Sequence, residues 1–195
     1  MVNHMKDVIE IIRSRRCVRE YEDKQIPEAD IKFLIDCAGF APSGLNMQPW
    51  GFLVIKNKDV LHRLSEIGKK SMIPLLEHFK STSQTAANYL AFLKTENSDM
   101  FYNAPVLVII LGNNNAPTAA YDCAMAAQTM MLAAHSIGIG SCWIGGIQRA
   151  LMDEKLMKEL GAPEGYIIVA PLIFGYPKGK TEIPERIKPE VVWVK

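Results

Sequence analysis

Neither sign of charge dominates this chain of 195 residues: basic and acidic side chains nearly cancel, leaving a formal net charge of +1. A generic binder of nucleic acid or of an anionic membrane carries a strong basic surplus, so both classes are set aside. Cysteine is scarce, with four in all. Cys17, Cys37, Cys123 and Cys142 stand far apart, none in a CxxC pair, and no histidine cluster accompanies them. That pattern argues against a zinc site and a disulfide framework, and suits a reducing, cytoplasmic compartment. An apolar signal core is missing from residues 1–10, which carry charges. The most apolar long stretch, 119–139, is broken by Asp122, Gln128 and His135. A charge at the bilayer centre costs about 2.5–3.5 kcal/mol, so no membrane span is expected. Repeats, low-complexity tracts and linkers are absent, and 1–195 reads as one domain.

What the chain does hold is hydrophobic residues, 49% of the total, enough for a globular interior. Val8, Ile11 and Ile12 share one helical face, which predicts a first helix over 6–15. Pro27 opens a second, with Ile31, Leu34, Ile35 and Ala38 at core-facing spacing. A proline-stiffened loop, 41–50, leads to a buried strand over 51–55. A helix carrying Val60, Leu61 and Leu64 follows, then a partly exposed helical excursion over 71–100. The run 104–111 is the clearest central strand, continuous in mostly β-branched residues.

The helix predicted over 118–137 is apolar nearly all round, so it needs cover, and a partner subunit is a natural cover. A glycine-rich segment comes next, 138–146, then a short helix over 153–160 stopped by Gly161. Strands over 166–174 and 191–194 complete the chain, and Pro171 must lie at an edge, bend or bulge. This irregular alternation predicts α+β or α/β architecture, a small mixed sheet flanked by helices.

Two glycine motifs fall short of nucleotide loops. Gly138 and Gly140 follow a helix, and Trp143 stands where a dinucleotide fingerprint needs its third glycine. The stretch from Gly175 to Thr181 is one residue short between its glycines for a phosphate-binding loop. Cys142 with His135 lacks a nucleophile signature, and a buried core cysteine is the commoner case. No catalytic side chain and no metal ligand set is expected.

Three distant segments make more sense together than apart. Arg15, Arg16 and Arg19 crowd the end of the first helix; guanidinium forks bind phosphate through paired, charge-assisted hydrogen bonds. Alone, they read as a solvated basic face. Ser43, Asn46 and Gln48 alternate with small or apolar residues between Pro42 and Pro49, presenting amides and a hydroxyl on a stiff loop. In the stretch from Ser141 to Gly146, two adjacent glycines let backbone approach a planar ligand with no Cβ in the way.

Four segments, in order, resemble the FMN-dependent nitroreductase family, in its short bacterial and archaeal members. Arg15-Arg-Cys-Val-Arg19 is similar to the family's Arg-Arg-Ser-x-Arg. Ala41-Pro-Ser-Gly-Leu-Asn-Met-Gln-Pro-Trp50 resembles its Ala-Pro-Ser-x-x-Asn-x-Gln-Pro-Trp signature, the most specific of the matches. The stretch 138–146 resembles its flavin-ring loop, and Gly175-Tyr-Pro177 the close of its late strand. Two departures stand out: Cys17 replaces the usual serine, and the late basic pair is reduced to Arg186.

The resemblance implies a three-layer α/β/α homodimer with a shared interface and one FMN in each of two interface sites. Arg15, Arg16, Cys17 and Arg19 match the residues around the FMN phosphate and nearby ring edge, with Arg186 as a late basic contact. Pro42, Ser43, Gly44, Asn46 and Gln48 match a loop that reaches the flavin, often from the other subunit. Ile144, Gly145 and Gly146 match the backbone near the redox nitrogen. The implied activity is ping-pong transfer of electrons from NADH or NADPH to small flat organic acceptors, nitroaromatics or quinones. Segment 71–100 is expected to cap the site and set the substrate. Dehalogenation, flavin breakdown, or flavin holding without turnover are the rival readings.

Overall fold

Every residue from Val106 to Gly112 is buried, because the strand they form has helices on both sides. The chain is described by a computed structural model over residues 7–182 and 184–195. Its order is α1 (Val8–Ser14), α2 (Glu28–Gly39), β1 (Trp50–Ile55), α3 (Lys58–Phe79), α4 (Gln84–Leu93), β2 (Val106–Asn113), α5 (Ala119–Ser136), β3 (Gly140–Trp143), α6 (Glu154–Glu159) and β4 (Tyr166–Gly175). The four strands lie in the order β1-β2-β4-β3.

Alternate side chains of β2 enter two cores, as a period of two requires. Val106, Val108 and Ile110 meet Ile31 and Leu34 of α2 and Ala126, Ala127 and Met130 of α5. Leu107, Ile109 and Leu111 meet Leu61 and Leu64 of α3 and Leu156 of α6. The result is the α+β, helix–sheet–helix layering that the sequence predicts.

The sheet itself corrects one expectation: every pairing between its strands is antiparallel, not mixed. Among the described residues, parallel pairing is confined to an isolated bridge, Cys17 to Ser141, just outside the sheet. Pro171 sits in interior strand β4 rather than at an edge. The register slips beside it, so Val169 is the extra residue of a bulge. The β3 pairing also stops at Leu172, one residue short of the proline that has no N–H to give.

Two further elements differ from expectation. The helix begun at Lys58 does not stop before residue 71; it runs to Phe79 with Pro74 inside, and folds against α4 as a helical hairpin around Leu76, Leu90, Leu93 and Met100. The strand expected over 191–194 does not form, and its side chains lie exposed, Trp193 at 84%. A strand needs a neighbouring edge to bond to, and the tail meets none among the described residues of its own chain. The first helix spans Val8–Ser14; Lys6, where the expected helix began, is outside the described residues.

The Gly-Tyr-Pro close of β4 has a packing cause. A Cβ on Gly175 would lie 2.6 Å from Tyr21 Cδ1 and 2.8 Å from Pro105 Cδ, both on rigid rings. Tyr21 cannot swing aside cheaply, since it is buried and its hydroxyl donates to the Val18 carbonyl at 2.8 Å. Gly175→Ala is therefore expected to lower stability by about 1–3 kcal/mol, read as a drop in the urea midpoint. An unchanged midpoint would mean that β4 and the Tyr21 segment separate freely.

Candidate functional site

Helix α1 ends at Arg15, whose φ of -58° and ψ of 137° take the chain out of the helix and along β3. Val18 N donates to the Ser141 carbonyl at 3.0 Å, which holds residues 15–18 beside the glycine-rich segment. Arg16 turns back: its Nη1 donates to the carbonyls of Arg13 at 2.6 Å and Arg15 at 2.7 Å, capping the helix C-terminus. The positive charges of Arg15 and Arg19 favour the Cys17 thiolate, and Arg19 lines a cavity together with Tyr102. Three polar atoms on this strip remain buried without a hydrogen-bond partner: Arg15 Nη1, Arg16 Nε and Ser141 Oγ.

Beyond β3 the chain makes a tight turn over Gly145–Ile147, fixed to β4 by Ile144 N on the Pro171 carbonyl at 2.9 Å. The first N–H groups of such a turn have no intrahelical acceptor. A Cβ on Gly145 would meet nothing within 4 Å, so the backbone there borders open space. One on Gly146 would meet Met100 Cε at 3.0 Å, the Tyr89 hydroxyl at 3.1 Å and Met72 Cε at 3.3 Å. The hairpin of α3 and α4 therefore closes directly over this turn. Phe92 stacks between Tyr89 and Tyr102, with ring centroids 6.1 Å and 5.2 Å away. Burial pushes the ionisation of Tyr89 up to about 12, so its hydroxyl is a neutral donor at ordinary pH. Next to Tyr102 lies an open cavity of about 580 Å³, lined by Arg19, Phe92, Asp99 and Lys178 among others.

The proline-stiffened loop is anchored elsewhere. Asp122, only 2% exposed on α5, accepts from Gly44 N at 3.1 Å and from the Thr118 hydroxyl at 2.8 Å. Close approach is required there, since a Cβ on Gly44 would collide with Thr118 Oγ1. Ser43 Oγ accepts from Gln48 N at 3.0 Å, and Gln48 Nε2 donates to Asn46 Oδ1 at 3.0 Å. Leu45, Asn46 and Gln48 hold φ values of 51°, 57° and 46°, and Leu45 is 97% exposed. Side chains rarely adopt that region, so the loop keeps a strained, outward display against its own preference.

Two of the three predicted segments thus meet within one chain. Cys17 is bridged to Ser141 of β3, and Ile144, Gly145 and Gly146 follow directly in the turn beyond that strand. The third does not join them: among the described residues, no hydrogen bond ties Pro42, Ser43, Gly44, Asn46 or Gln48 to the arginines. Arg186 lies exposed in the tail, and no hydrogen bond or ion pair of the described residues holds it.

Sequence reasoning missed Asp122 as an anchor, Ser141, the Cys17–Cys142 pair, and the tyrosines over Gly146. A lone acid in an apolar helix was a visible signal for Asp122. The tyrosines gave none, because only the hairpin brings them to the turn.

A profile of the nitroreductase family matches residues 12–176. A nitroreductase of Bacteroides fragilis, solved with bound FMN, is 30% identical, with a TM-score of 0.78 over 97% of this chain and 98% of that one. An Archaeoglobus fulgidus protein provisionally named NADH dehydrogenase/NAD(P)H nitroreductase is 28% identical over 186 residues, 93% of this chain and 91% of its own length. The iodotyrosine deiodinase of Thermotoga neapolitana is 24% identical over 137 residues, 70% of this chain and 73% of that protein. Among the described residues no helix is long and apolar enough to cross a membrane. On its sequence match and its fold together, the chain belongs to the nitroreductase family.

Proposed function

We propose that this chain is an FMN-dependent oxidoreductase passing electrons from NADH or NADPH to small flat acceptors such as nitroaromatics or quinones. The observation that carries the reading is the set of buried, unpartnered donors Arg15 Nη1, Arg16 Nε and Ser141 Oγ. A buried guanidinium nitrogen with no acceptor is costly, and phosphate oxygens are the acceptors its geometry suits. The open space at Gly145 suits a planar ring laid against backbone. The residues present therefore fit FMN: Arg15, Arg16 and Cys17 at the phosphate, Arg19 at the ring edge, and Ile144, Gly145 and Gly146 along the ring.

When bound, FMN supplies two-electron exchange between a reduced nicotinamide and an acceptor that takes its place. The protein's part is position and field. N–H groups of Gly145 and Gly146 with the charge of Arg19 favour negative charge at the ring, and no side chain has to move a proton. The α3–α4 hairpin excludes water above the turn and shapes the acceptor site through Tyr89 and Phe92.

A homodimer completes this site. One chain leaves Val8, Ile9 and Ile12 of α1, Tyr121 of α5, Leu45 of the loop and the tail from Ile187 exposed. So much uncovered apolar surface marks an interface. In the dimer, Ser43, Asn46 and Gln48, with Pro42 and Gly44 behind them, reach the partner's flavin, and Arg186 adds a contact to phosphate. The free cysteines suit a cytoplasmic setting.

Anaerobic addition of NADH or NADPH is expected to bleach the bound flavin, and a quinone or nitroaromatic to restore its colour. Flavin that stays oxidised with both donors would rule out the reductase. The deiodinase relative favours a second reading, reductive dehalogenation. Halide release from an iodinated phenol, without quinone turnover, would select it.

A further inference from the structure

We propose that Cys17 and Cys142 form a peroxide-sensitive modification site: a hydroperoxide oxidises Cys17 to a sulfenic acid, which Cys142 resolves into an internal disulfide. The two cysteines are distant in sequence, and the bridge between Cys17 and Ser141 makes them neighbours. Strand spacings of about 4.8 Å across and about 3.3 Å along set their Cα atoms roughly 6 Å apart. That falls within the ~4.4–6.8 Å a disulfide spans. Both side chains pack into one core, with Leu61, Leu107 and Ile173, so the two thiols lie on the same side of the sheet. Cys142 makes a long hydrogen bond, from its thiol to the Trp143 carbonyl at 3.7 Å, which leaves the sulfur free to move.

The two positions are unequal in the way the chemistry requires. Cys17 is half-buried and open to a small oxidant, while Cys142 is buried behind it. The hydrogen bond from Cys142, then the guanidiniums of Arg15 and Arg19, outweigh burial and bring Cys17 down to about 5. The same shared proton and deeper burial push Cys142 up. Cys17 is thus the thiolate that attacks, and Cys142 the protonated thiol that resolves.

The steps balance. The Cys17 thiolate attacks one peroxide oxygen, the O–O bond breaks, and hydroxide leaves as the sulfenic acid forms. The Cys142 sulfur then attacks the Cys17 sulfur, the S–O bond breaks, and its thiol proton leaves with that oxygen as water. Two thiols and one hydrogen peroxide give one disulfide and two waters, the sulfurs losing two electrons and the peroxide oxygens gaining them. A dithiol reductant restores both thiols.

This rests on the sulfur positions and not on the flavin reading, so its test is a peptide map rather than turnover. The reduced protein, as purified, is treated with one equivalent of hydrogen peroxide and mapped by mass spectrometry. A 17–142 cross-link, reversed by dithiothreitol, is the expected product, while Cys37 and Cys123 stay free. In C142S, Cys17 is expected to stop at the sulfenic acid and be captured by dimedone; in C17S, Cys142 is expected to stay unmodified. Alkylation of Cys17 by iodoacetamide should already be at its plateau at neutral pH. Modification of Cys17 no faster than that of Cys37 would overturn the proposal. So would wild-type Cys17 passing to the sulfinic acid unlinked, or an alkylation rate still climbing through about pH 8.5, the range of an ordinary thiol.

Discussion

Replacing Arg15 with alanine is expected to weaken FMN binding by roughly 10- to 150-fold, because a hydrogen bond to a charged partner contributes about 1.5–3 kcal/mol. The free protein should respond differently. Arg15 Nη1 is buried without a partner, so its removal relieves an unsatisfied group and the stability of the flavin-free form should hold or rise. Riboflavin, which lacks the phosphate, serves as the control, and its affinity should barely change in Arg15→Ala. Titration of both ligands, followed by quenching of their fluorescence, reads the two effects side by side. Equal losses for FMN and riboflavin would move Arg15 away from the phosphate. An FMN affinity within twofold of the parent would remove it from the site.

Deleting residues 187–195 is expected to break the proposed dimer and, with it, the proposed flavin site. Ile187, Val192, Trp193 and Val194 are exposed in one chain, so the segment has apolar surface and nothing of its own to cover. Each large side chain fully covered by a partner contributes about 1.5–3 kcal/mol. Losing four, even after the offsetting costs of association, should weaken dimerisation on the order of 100-fold or more. Sedimentation velocity over a concentration series checks this. The monomers should stay folded, because the two cores on either side of β2 draw no residue from beyond Tyr176. A truncated protein that remains dimeric with full flavin would mean that α1 and α5 carry the interface without the tail. One that unfolds would mean that the tail packs into a core after all.

Local chemistry in the chain was enough for most of the framework. The β-branched run of β2 and the spacing of Ile31, Leu34 and Ala38 on α2 are patterns that only a buried strand and an amphipathic helix satisfy. The pairing of Arg15 to Arg19 with the glycine turn was legible only through resemblance, since 120 or so residues of intervening chain carry no local signal of contact. Where periodicity was read too finely, packing won. The helix begun at Lys58 and the start of the excursion over 71–100 are one element, α3, because Leu64, Gly68 and Leu76 keep it buried on both sides of Pro74, and this cohesion outweighs one lost backbone bond. Residues 191–194 have strand-forming side chains and no edge to join within their own chain, so propensity alone left them unpaired.

By itself, then, the order of residues determined most of the element types, both faces of the central strand, and three of the groups suited to a phosphorylated planar ligand. Tertiary structure alone decided the antiparallel order of the sheet, the buried donors left without acceptors, the anchoring of the loop on Asp122, and the meeting of Cys17 with Cys142. The reason is physical: side-chain period and turn chemistry act over a few residues and can be read along the chain. Burial, unsatisfied hydrogen bonds and shared protons belong to atoms that only the closed fold brings within reach of one another.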